Sequence, residues 1–166
     1  MIHTEVCDTV EEIPDDATVS RLILFPHMYS QTSQGVELHW INVFQFQTRH
    51  SFRESLVWRQ YATEDTDVHW LGQQQEEKKR QNAIHQGKNS SDVKYTGFIS
   101  AKTDHIRAIS TTNGYKFFVE HVPQEGRYHA EIGYAPTGGE IPPAEKSDLK
   151  MRLNNTFSEI VPFNAA

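Results

Sequence analysis

Residues 115–134 read YKFFVEHV, then PQEG, then RYHAEIGY, and this stretch decides the fold. Two runs rich in aromatic and β-branched residues flank a turn that opens on Pro123 and closes on Gly126, which is the pattern of an antiparallel hairpin. A four-residue turn would set Val122 opposite Arg127, Glu120 opposite His129 and Phe118 opposite Glu131. Side chains alternate along a strand, so Glu120, His129 and Glu131 should share one face. Phe117, Val119, Ala130, Ile132 and Tyr134 then form the opposite, core-facing side, with His121 among them as a hydrogen-bonded buried histidine.

Working outward, residues 94–102 predict a strand around Tyr95, Phe98 and Ile99. Thr103 or Asp104 would cap a short helix that Asn113-Gly114 stops. This unit is too short for a comfortable parallel crossover. Residues 135–146 read as an irregular loop, and Leu149, Leu153 and Phe157 predict a last helix over 147–157. Upstream, residues 19–26 read as a strand closed by Pro26, and 36–47 as a longer strand that pairs with it across a loop at 28–35. The run SFRE at 51–54 reads as a capping box for a helix over 52–61. Residues 63–67 would cap a second, very polar surface helix over 68–83, and residues 86–92 form a loop. The expected architecture is α+β: one domain, a mostly antiparallel sheet of about five strands, and about four helices on one side.

Composition limits the function classes. The 166-residue chain carries 22 acidic and 16 basic residues, a net charge of −6. Residues 1–20 hold six acids and no base, so the whole imbalance lies there and the body is neutral. The expected division is an acidic, mobile arm over 1–18 and a single domain over 19–166. A neutral body has no global electrostatic footprint for DNA or RNA. Only a local basic run at Lys78, Lys79, Arg80, Lys88 and Lys94 remains, diluted by Glu76, Glu77 and Asp92. Cys7 is the one cysteine, which excludes an internal disulfide and suits a cytoplasmic location. No apolar run approaches the ~20 residues of a membrane span, and no secretory leader pattern is present.

No nucleotide loop, dinucleotide fingerprint, HExxH, CxxC or GxSxG signature occurs, so no cofactor is expected. Three sets of side chains are candidates. His129 with Glu131 and Glu120 could do acid–base work, with Arg127 or Arg53 stabilising developing negative charge. Arg53, Trp58 and Arg59 on the capped helix, with Trp70 on the next one, could form a binding face. Asp65, Asp67 and His69 have D-x-D-x-H spacing and could offer oxygen and nitrogen ligands to a divalent ion. Two functions follow. One is a small binding or regulatory module that recognises another protein or itself. The other is a small cofactor-independent hydrolase of phosphodiester or glycosidic bonds. Shape separates them, because an enzyme places its reacting residues in a concavity, whereas a module leaves them on a flat or convex face.

Overall fold

The computed structural model describes residues 2–25, 27–90 and 92–164. Pro26 and Ser91, which belong to the expected strand end and loop above, lie outside them. The strands are β1 (Thr18–Phe25), β2 (Tyr29–Thr32), β3 (Gly35–Leu38), β4 (Arg53–Trp58), β5 (Lys94–Lys102), β6 (Lys116–His121), β7 (His129–Ala135) and β8 (Val161–Pro162). The helices are α1 (Trp40–Val43), α2 (Asp65–His85), α3 (Thr103–Arg107) and α4 (Pro143–Thr156). Six strands form one sheet in the order β6-β7-β4-β1-β5-β8, and β2 and β3 form a separate hairpin. Every pairing is antiparallel, so the chain is a single-domain α+β fold.

The two faces of the sheet carry different cores. Leu56 and Trp58 of β4, Ile99 and Ala101 of β5, and Ala130, Ile132 and Tyr134 of β7 pack against Val43, Ile106, Leu149 and Leu153 of α1, α3 and α4. The residues of opposite parity, Val57 and Phe98, pack against Val68 and Leu71 of α2. The helices are therefore not all on one side, as the strand and helix patterns alone suggested; α2 takes the second face. Its apolar stripe is short, so it covers only part of that face, over β1 and β5, and leaves the ends of β4 and β7 open.

Gly72 sets the distance between α2 and the sheet. A Cβ there would stand 2.3 Å from the Tyr95 ring. Alanine is worth about 1 kcal/mol more than glycine in a helix interior, but overpacking of this kind costs about 1–3 kcal/mol. Gly72→Ala is therefore expected to be neutral to destabilising by up to about 2 kcal/mol, read as a lower urea midpoint. A higher midpoint would mean that Tyr95 swings aside freely.

Two expected elements differ. Residues 53–58 form β4, not part of a helix over 52–61. Ser51 and Phe52 have φ of 55° and 58°, so Ser51 cannot be an N-cap, which needs extended backbone. The 36–47 strand is broken after β3: α1 makes one turn, and Phe44 and Phe46 then enter the core against Phe157, Phe117 and Tyr134. β1 accordingly pairs with β4 and β5, not with residues 36–47.

The acidic lead-in lies along the β6–β7 turn. Arg127 N–H donates to the Glu5 carbonyl (2.9 Å), Tyr128 N–H to the His3 carbonyl (3.2 Å) and Cys7 N–H to the Pro123 carbonyl (3.1 Å). His121 is buried, as the alternation implied. Its Nδ1 accepts from Glu11 N–H (3.0 Å) and its Nε2–H donates to the Arg127 carbonyl (2.8 Å). Both ring nitrogens are thus occupied, with the proton on Nε2.

Candidate functional site

The β6–β7 hairpin brings the acid–base candidates together, with a register two residues away from the one a four-residue turn implies. Glu120 lies opposite Glu131, and Phe118 opposite Gly133. The cause is the lead-in. It takes the backbone of Arg127 and Tyr128, which then cannot pair with β6, so the connection lengthens. A shift of two keeps strand parity, so Glu120, His129 and Glu131 still share a face.

His129 and Glu131 of that face line a cleft of about 800 Å³ between β4, β7, α2 and the 45–54 segment; Glu120 does not. His129 sits in it at 6% exposure. Its Nε2 stands 3.1 Å from Glu131 Oε2 and 3.1 Å from Glu125 Oε2. Its Nδ1 has no partner among the described residues and is not sealed from solvent. Glu131 uses its other oxygen to accept from Arg53 Nη1 (2.9 Å), and Arg53 also pairs with Glu120 and lies over the Phe118 ring. The His129 hydrogen bond, then the Arg53 guanidinium, hold the Glu131 carboxyl below the ordinary carboxylate range, against the opposing effect of burial.

This shift has a stability consequence. A depressed carboxylate pKa adds stability above the unfolded-state value of about 4.3, and the gain is lost as pH falls through the lower native value. Glu131→Gln should therefore cost stability at pH 7 and narrow its difference from wild type below about pH 4. Urea denaturation across pH 3–7 measures this; a constant difference at every pH would disconnect Glu131 from acid lability.

The other candidates are dispersed. Arg127 turns away from the cleft; its guanidinium lies 4.4 Å over the Tyr61 ring and near Glu5 and Glu11. Trp58 is buried, edge-on to Tyr61 and His121. Arg59 pairs with Asp65 (2.8 Å) and lies over Phe98. Trp70 is exposed on α2 and does not line the cleft. Arg53, Trp58 and Arg59 form no helical face, because β4 and a 3-10 turn carry them.

Asp65, Asp67 and His69 do not converge on an ion site. Asp65 is held by Arg59, Asp67 accepts from Glu64 N–H at the start of α2 (3.2 Å), and His69 Nδ1 meets the Tyr95 hydroxyl (2.8 Å). Burial against Phe98 and Phe163 holds the His69 imidazole below its ordinary value. Among the described residues, the group whose donor atoms lie close enough to hold a metal is Glu125, His129 and Glu131, all within 4.8 Å of one another.

The sequence does not single out Glu125, because a turn glutamate ordinarily faces water; its i, i+4 spacing to His129 is the available signal. Among the described residues, no helix is long and apolar enough to cross a membrane. Compared with protein-family models, curated proteins and solved structures, the chain matches none.

Proposed function

We propose that the protein is a small hydrolase of phosphodiester bonds that works without a cofactor, with His129 as its acid–base group. One observation carries this reading: a buried histidine in a concave cleft has one ring nitrogen facing two carboxylates and the other free. The carboxylates fix the proton on Nε2 and leave the Nδ1 lone pair as the base. His129 Nδ1 takes a proton from water, the water oxygen attacks phosphorus, and the bond to the leaving oxygen breaks. The imidazolium then returns its proton to that oxygen, so the enzyme ends unchanged. Glu131 positions the ring, and Arg53 positions Glu131.

The concavity favours this reading over a binding module with a flat sheet face. Phosphodiester is preferred to glycoside for a geometric reason. Glycosidases hold the sugar between two carboxyl groups about 5–9 Å apart. Here the imidazole nitrogen fills the gap between Glu125 and Glu131. Bis(4-nitrophenyl) phosphate, followed by nitrophenolate release, tests the proposal. Wild type should turn it over, with a chelator making no difference, and His129→Ala should do so far more slowly. Turnover that needs an added divalent ion would instead make His129 a metal ligand and overturn the cofactor-free mechanism.

A further inference from the structure

The cleft has a second wall that the acid–base chemistry does not use. Arg49, Lys78 and Lys79, all exposed, line it from the turn at 48–50 and from α2. The other cations of the cleft are matched: Arg21 by Glu54, and Arg53 by Glu120 and Glu131. The side chains of Arg49, Lys78 and Lys79 have no hydrogen bond or ion pair among the described residues. Desolvation, and then the like charges of Arg21, Arg49 and Lys78 against the opposing charge of Glu54, push the Lys79 ammonium down from its ordinary value, although its side chain is exposed. Three unpaired cations along one cleft raise the local concentration of an anion.

We propose that this wall holds the backbone of a single-stranded nucleic acid, so that one phosphate reaches His129 while its neighbours lie on Arg49, Lys78 and Lys79. The inference rests on the hydrolase reading for its reactive end and on the cationic wall for its binding end. A lone phosphate would be served by one cluster, whereas cations displaced from the floor fit a repeated charge. A half-open cleft of about 800 Å³ has room for more than one anion. Tyr128, His27 and His50 also line it and offer planar faces on which bases can stack without sequence preference. A flexible single strand can bend down to a histidine that is 6% exposed, whereas a stiff duplex cannot follow so local a concavity. Of the six acids in the first twenty residues, Glu5 and Glu11 lie beside Arg127 and Asp15 pairs with Arg107.

The test is fluorescence anisotropy of a 5′-fluorescein decauridylate with the full chain, from 50 to 200 mM NaCl. Three phosphate contacts predict a slope of log K against log salt of about −2, at roughly 0.7 per contact for a single strand. Lys78→Gln/Lys79→Gln should weaken binding on the order of tenfold and flatten the slope toward about −0.7. Lys88→Gln/Lys94→Gln, exposed and outside the cleft, should change neither. Equal loss in both pairs would reduce the effect to net charge and overturn the site, as would tighter binding of poly-glutamate than of the strand. The two proposals fail separately. Hydrolysis of the small diester with no strand binding removes this inference alone; strand binding with no hydrolysis of any diester removes the acid–base reading and leaves the wall.

Discussion

Glu54→Ala is expected to destabilise the protein by about 3–5 kcal/mol, the largest stability effect of any single substitution considered. Glu54 and Arg21 form a buried pair, with their side chains 11% and 9% exposed and 3.0 Å apart. Arg21 is otherwise satisfied by the Val43 and Ser55 carbonyls, each at 3.0 Å. The second Glu54 oxygen accepts from Gln45 N–H (3.0 Å) and Phe46 N–H (2.9 Å), where the chain leaves α1 and Phe46 takes a φ of 53°. Removal of the carboxylate leaves a buried guanidinium unpaired and two backbone donors without an acceptor. In a chain of this length the loss should lower the melting temperature on the order of 10 °C. Arg21→Met/Glu54→Leu separates the two causes. It removes the charge imbalance but leaves the Gln45 and Phe46 N–H groups, and the Val43 and Ser55 carbonyls that Arg21 served, without those partners, so it should recover only part of the loss. A double variant as unstable as Glu54→Ala would show that the backbone contacts, not the ion pair, set the cost.

His129→Ala should lower diester hydrolysis by about 10²–10⁴-fold, the usual contribution of a positioned acid–base group. Stability alone cannot produce that pattern, because the residual activity should rise again when free imidazole fills the vacated site. Glu131→Gln should cost less, since Glu125 still faces Nε2 and can hold the tautomer. A His129→Ala enzyme within twofold of wild type, or one with a native melting curve that imidazole does not restore, would remove His129 from the chemistry. The same assay ranks Arg53: as a positioning residue acting through Glu131, its lysine variant should retain more activity than its alanine variant.

Much of the sheet was legible because period-two alternation is local. β5, β6 and β7 follow it, and α2 follows the polar run with its acidic start. The shared face of Glu120, His129 and Glu131 was legible for the same reason, and it survived a register shift because the shift was even. β4 was not legible. RESLVW places Leu56 beside Val57, which fits either a helix stripe or a strand buried on both faces, and six residues are too few to choose between periods.

By itself, then, the sequence determined the α+β class, the antiparallel hairpin and which residues share its wet face. Each follows from contacts between near neighbours along the chain. Only the tertiary structure decided that Glu54 ends in a buried pair instead of a helix cap, that Arg127 stacks on Tyr61 away from the cleft, that Glu125 meets His129, and that Arg49, Lys78 and Lys79 line the same cleft. Except for Glu125, which lies four residues before His129, these outcomes join residues tens of positions apart. They depend on which backbone donors the lead-in and the 45–46 turn leave to be satisfied, and no local pattern carries that information.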